Sequence, residues 1–226
     1  LERLETDLHA HADQVAGDLS LVGFSTAMRG LIGPVAAALM AEHPALRIRL
    51  GEVEPWDAID QVAAGQADVG LVHKWGDVVL EIPEHLDRRT VHHDEAEVIV
   101  PADHRLARRR SVRVADLVDE RWIATPEGTI CRQWLHRMYA GTGSLPRIEH
   151  VSMEFASHLE LVAAGLGVAL VPQLGRGPLP AGTRAIKVTD PSPRRAAIVV
   201  WRRTQGRSPA VRALVAALAD AGRAVS

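Results

Sequence analysis

A chain of 226 residues, 47% hydrophobic and 24% charged, carries enough apolar material for one large domain or two modest lobes. Its 26 basic and 28 acidic residues leave a net charge of −2, which excludes a basic face for nucleic acid, and no apolar run is long enough for a membrane span. A single cysteine, Cys131, excludes an internal disulfide and is read as a buried, inert thiol, while the start LERLETDLHAHADQ is too polar for a signal peptide, so the expected compartment is the cytoplasm.

In residues 1–17, Leu1, Leu4, Leu8, His11 and Val15 fit a and d heptad positions, so this stretch is expected to be the end of a helix that begins upstream. DLSLVGF (18–24) reads as a buried strand, and Ser25-Thr26 offers N-cap chemistry to a helix over 27–42 in which Pro34 forces a kink or a late start. LRIRLGEV (46–53) alternates as a strand. Pro55 opens a helix to Ala64, Gly65 ends it, and ADVGLVH (67–73) is a third strand.

The same order returns later as RWIA (121–124), the turn TPEGT, a helix over 130–139, the strand RIEHVS (147–152), a helix over 155–164 and the strand GVALVP (167–172). Between the copies, 97–100 reads as a strand running from one lobe toward the other. RRAAIVVWRR (194–203) is a second such strand, followed by a helix over 209–221 that Gly222 is expected to stop. GRGPLPAG (175–182) is a loop.

The two copies share seven identities at an offset of one hundred, in Arg47-Ile48 and Arg147-Ile148, Glu54 and Glu154, and VAAG at 62–65 and 162–165. Strand, helix, strand, helix, strand is a parallel βαβαβ unit, so the expected class is α/β with two Rossmann-like lobes joined by two crossover strands.

Motifs for chemistry are weak. GFSTA (23–27) lacks the last glycine of a nucleophile elbow, so Ser25 is read as a cap or ligand contact. GTGSLP (141–146) and GLGVAL (165–170) fail the dinucleotide pattern. His92-His93-Asp94-Glu95 reads as a solvated turn and not a metal site, because strand neighbours point to opposite faces. His73-Lys74-Trp75, at the carboxyl end of a parallel strand, is either a ligand contact or an ordinary βα loop. HRLARRR (104–110) is a solvated basic surface. No nucleophile–base pair stands out, so neither catalysis, nor a cofactor, nor a metal is expected.

GFSTAMRGLIGPVAAALMAEHPALRIRLGEVEP, AIDQVAAGQADVGLV, VPADHRLA, LELVAAGLGVALVP and IVVWRR together resemble the effector-binding region of LysR-type transcriptional regulators. The resemblance implies a two-lobed fold of the type II periplasmic-binding-protein kind. It implies 1–17 as the end of a linker helix, 18–100 with 194–226 as lobe I, and 101–193 as lobe II. It also implies a homodimer or homotetramer, and DNA binding only through an N-terminal winged helix-turn-helix absent from this chain. A solute-binding protein of a transport system is the alternative.

Strand ends and helix starts place the ligand site. The expected contacts are Ser25, Thr26, Ala27, Met28, Trp56, His73 and Lys74 in one lobe, and Thr125, Thr129, Ile130, Glu154 and Phe155 in the other. Two helix N-termini facing one cleft favour an anion, so the expected effector is a small carboxylate, with Met28, Trp56 and Phe155 as an apolar floor and Lys74 adding charge if its loop folds inward.

Overall fold

The computed structural model of the chain describes residues 14–225. The helix expected for 1–17 therefore falls largely outside the described residues; 14–16 are irregular, and Gly17 already opens a strand. The chain divides into two compact units. Of the described residues, unit 1 takes 14–73, Leu80–His92 and 197–225; unit 2 takes Lys74–Val79 and His93–Ala196.

In unit 1, β1 (Gly17–Gly23) lies parallel to both β2 (Leu46–Glu52) and β3 (Val69–Trp75). The late strand β10 (Arg194–Arg202) lies beside β3, giving the order β2-β1-β3-β10. The helical run after β1 changes register along its length. A turn at Ser25–Ala27 passes into a π-helical turn at Met28–Ile32 and then into α1 (Gly33–Glu42). Pro34 explains the change. It has no N–H to give to the preceding turn, and the Gly33 N–H reaches back five residues to the Met28 carbonyl. Of the two sequence expectations the late start is met: the regular helix begins at Gly33 with Pro34 in its first turn, after a widened turn and not a kink.

The second helix, α2 (Pro55–Ala63), presents Ala58, Ile59 and Val62 to Val22, Val72 and Val200 of the sheet. Arg202 closes its far end, donating from Nη1 to the carbonyls of Val62 at 2.7 Å and Ala67 at 2.6 Å.

Unit 2 repeats this plan. Its β6 (Arg121–Ala124) lies parallel to β7 (Arg147–Val151) and β8 (Val168–Pro172), flanked by α3 (Ile130–Met138) and α4 (Phe155–Ala163). The repeat is exact in one place: α4 has the bounds of α2 plus one hundred. Gly65 and Gly165 follow with φ of 76° and 78°, and their N–H groups donate to the carbonyls of Val62 and Val162. Unit 2 also contains β4 (Leu86–Pro101) from His93 onward, antiparallel to β8 and to β9 (Thr183–Thr189), with β5 (Ser111–Arg113) parallel to β9.

Several sequence expectations need correction. The strand expected at 97–100 is sixteen residues long, and its acidic residues Asp87, Asp94, Glu95 and Glu97 are each paired with an arginine. His92–Glu95 lies inside it and is no solvated turn. Asp94 is buried against Arg195, His93 is exposed, and Glu95 pairs with Arg194. His92 is buried, with Nδ1 2.8 Å from the Gly222 carbonyl. Gly222 does not stop the last helix, α5 (Pro209–Ala224), but lies inside it. A Cβ there would stand 2.0 Å from the Val91 carbonyl oxygen, so glycine permits close helix–strand approach. The basic run at 104–110 is partly neutralised, with Arg105 and His104 on Glu120 and Arg109 on Asp116. No described helix is long and apolar enough to cross a membrane.

Candidate functional site

In unit 1 the strand enters the helix almost directly. Phe24, extended, is the N-cap and supplies no side-chain hydrogen bond, so the cap expected of Ser25-Thr26 is not formed. Gly23 makes the abrupt start possible, since a Cβ there would lie 2.6 Å from Ile32 Cδ1 and 3.1 Å from the Leu71 carbonyl. Ser25 and Met28 are half-buried, whereas Thr26 and Ala27 are buried. His73, also buried, meets Phe24 edge to face with ring centroids 4.6 Å apart. The structure thus brings His73 to the Ser25–Met28 turn.

Two other expected contacts differ. Lys74 sits within β3 and not in a loop, so strand alternation exposes it between buried His73 and Trp75. Trp56 lines a separate open groove of about 670 Å³ in unit 1, together with Leu80, Ile82, Asp60, Glu81, Glu84 and Arg88. Three carboxylates against one guanidinium make that groove unsuited to an anion.

In unit 2 the passage from strand to helix is built from side chains. Thr129 is the N-cap of α3, and its Oγ1 accepts from the Arg132 N–H at 3.2 Å. The same hydroxyl donates to the Pro126 carbonyl at 2.9 Å and lies 2.8 Å from Thr125 Oγ1. A hydroxyl has one proton and two lone pairs, so Thr125 must be the donor in that contact, and the Thr129 hydroxyl is fully used. Thr125 keeps lone pairs in reserve.

Arg132, which the sequence reading passed over, is the main charge at this helix start. It is only 9% exposed, with Nη1 on the Thr125 carbonyl at 3.1 Å and Nε on His136 Nε2 at 3.2 Å. Burial, and then the Arg132 cation, push the His136 imidazole below its usual pKa, while Glu127 acts in the opposite sense. A neutral imidazole is what accepts the Arg132 N–H. The acid nearest Arg132 is Glu127 at 3.8 Å, on a side chain 91% exposed to water. Nothing in the sequence marked Arg132, because an arginine three residues into a helix ordinarily points to solvent.

Ile130 and Phe155 are buried, and Phe155 packs with Ile99, Ile123, Leu159 and Val171 in the core of unit 2. The apolar floor expected of Phe155 is therefore core packing. Glu154 is the half-buried N-cap of α4, without a side-chain cap bond. Thr125 and Phe155 line one small cavity with Trp75, Cys131, Trp134 and His158. Behind it, Trp134 stacks on Trp75, whose other neighbour is the guanidinium of Arg195, 5.5 Å from the ring centroid. Arg195 and Asp94 form an ion pair at 2.7 Å with side chains 1% and 2% exposed. Among the described residues no group of His, Cys, Asp and Glu could hold a metal ion.

Residues 12–223 match the family described as "LysR substrate binding domain". The chain is 36% identical over 167 residues to the small neutral protease regulatory protein of Streptomyces coelicolor, a match covering 69% of this chain and 47% of that protein. It is 25% identical over 173 residues to the HTH-type transcriptional regulator CysL of Bacillus subtilis, covering 75% and 55%. The chain spans about half the length of these curated relatives. Among solved structures, it is similar to the BenM effector-binding domain with its effector benzoate, with a TM-score of 0.77, 20% identity, and 90% of each chain covered. The effector-binding domain of QuiR in complex with shikimate is similar too, with a TM-score of 0.77, 16% identity, and 92% and 98% covered.

Proposed function

The chain belongs to the LysR substrate-binding domain family, and from that premise we propose that it binds a small carboxylate effector and passes that signal to a transcriptional regulator, without catalysing a reaction. The observation that carries the ligand's chemistry is Arg132, a buried cation at a helix start whose nearest acid is a water-exposed glutamate. The helix dipole adds partial positive charge there. An incoming carboxylate takes the place of the Glu127 side chain, gaining a charge-assisted bond at little cost, since a pair so exposed on one side is worth no more than about 1 kcal/mol. Benzoate, the effector bound in the BenM domain, and shikimate, held by the QuiR domain, are both carboxylates, in keeping with this reading.

Ser25, Thr26, Ala27 and Met28 in unit 1 and Thr125, Thr129, Ile130 and Glu154 in unit 2 are the proposed contacts. Thr129 acts by holding its turn, since its hydroxyl has no capacity to spare. His73 supports the first group. In this reading the protein is a cytoplasmic homodimer or homotetramer, and DNA binding belongs to sequence outside this chain. A thermal-shift panel of small carboxylates, sugars and amines tests the class. Ligand at one hundred times its Kd stabilises by about 2.7 kcal/mol. Carboxylates alone are expected to raise the melting temperature; stabilisation confined to sugars or amines would overturn the proposal.

A further inference from the structure

The small cavity of unit 2 has about 20 Å³ of room, and its polar lining is specific. Trp134 is 6% exposed, and its indole N–H has no acceptor among the described residues. His158 is 1% exposed, and its Nδ1 has no donor among them. Its other nitrogen, Nε2, lies 2.8 Å from the Ser152 carbonyl, which can only accept, so Nε2 carries the proton and Nδ1 presents a lone pair. Burial pushes the His158 pKa down, which keeps the ring neutral and this tautomer in place. Thr125, whose proton goes to Thr129, supplies a further lone pair at the cavity wall.

The Trp134 donor and the His158 and Thr125 acceptors thus border a space with room for one small molecule, with Trp75 and Cys131 also on its wall. A cavity needs about 10–15 Å³ to admit a water, and a buried water makes about three hydrogen bonds. We propose that this cavity is a site for one internal water, accepting from Trp134 Nε1 and donating to His158 Nδ1 and Thr125 Oγ1. That water ties α3, α4 and the end of β6 together behind the Arg132 turn. The inference rests on unit 2 alone and stands whatever the effector proves to be. Leaving the indole N–H and the imidazole lone pair both unpaired in the interior would be costly, and a single water relieves both.

The test is a high-resolution crystal structure of the whole chain, paired with relaxation dispersion of water oxygen in solution. An ordered water at ~2.7–3.2 Å from Trp134 Nε1 and His158 Nδ1 is expected. Trp134→Phe is expected to remove one long-lived internal water while the circular dichroism spectrum is kept. Should that variant not fold, Thr125→Val is expected to shorten the same water's residence time. A dry cavity that takes up xenon under pressure would overturn the proposal, as would an imidazole protonated at Nδ1 by nitrogen NMR. An unchanged count of long-lived waters in Trp134→Phe would do so as well.

Discussion

The two copies of the βαβαβ unit agree in their second helix and differ in the passage into their first. The second helix of each copy occupies the same register, with the same glycine turn and the same backbone bond closing it. The first helix of each does not. After β1 the chain turns within one residue and starts without a side-chain cap; after β6 five residues intervene and three side chains, Thr125, Thr129 and Arg132, organise them. The lesson is that the scaffold is duplicated and the strand-to-helix passage is individual.

The largest contrast lies in the ion pairs that anchor each unit. Arg202 and Asp68 of unit 1 are partly exposed, whereas Arg195 and Asp94 of unit 2 are almost wholly enclosed. Removing one member of an enclosed pair strands the other charge. Asp94→Ala is therefore expected to cost about 3–5 kcal/mol in denaturant unfolding, and Asp68→Ala much less. Equal losses would erase the distinction.

The glycine turns provide the matched control. An added side chain at Gly65 or Gly165 meets nothing nearer than 3.8 Å, so only the positive φ resists it. Gly65→Ala and Gly165→Ala should each cost about 1–2 kcal/mol, and nearly the same amount as each other. A large inequality would break the structural equivalence of the two copies.

At the helix starts the prediction reverses. Thr129→Ala removes a formed cap and should cost about 1 kcal/mol, with Thr129→Ser restoring most of it. Ser25→Ala, at a position that caps nothing, should remain within about 0.5 kcal/mol of the parent. A loss at Ser25 equal to that at Thr129 would mean the two passages are built alike.

The smallest effect is in pH. His158 and His136 both have pKa values lowered from the ordinary 6.5, chiefly by burial. Each is neutral in the fold and takes up a proton more readily once unfolded. Their contribution is present above that ordinary value and is lost as pH falls through it. Unfolding free energy should decline between neutral pH and mildly acid pH, and His158→Gln should flatten the decline. A slope unaffected by the substitution would place the sensitivity in other groups.

Much of this was legible beforehand. The apolar runs in RWIA and VALVP, the first-turn Pro55, and VAAG with its closing glycine marked strands and helices to within a residue or two. What escaped had a three-dimensional cause. Gly222 looks like a helix stop because the sequence does not show the Val91 carbonyl against it. HHDE looks like a turn because Arg195, the partner that allows Asp94 to be buried, lies a hundred residues away. The candidate site was legible as positions and not as roles. Thr129 was found, but its hydroxyl is consumed by its own turn, and Arg132 was missed because its burial depends on the Thr125 carbonyl and His136 accepting its protons.

The central claim is that Arg132 receives a carboxylate in place of Glu127. The most direct measurement is calorimetric titration of the chain with the carboxylate that stabilises it best in the thermal-shift panel, for the parent, Arg132→Gln and Glu127→Gln. Loss of a charge-assisted bond to an ionised group is worth about 1.5–3 kcal/mol, so Arg132→Gln should weaken binding by about ten- to a hundredfold. Glu127→Gln, which removes the competing carboxylate, should leave binding as tight or tighter. Undiminished affinity in Arg132→Gln, or binding abolished by Glu127→Gln, would contradict the account.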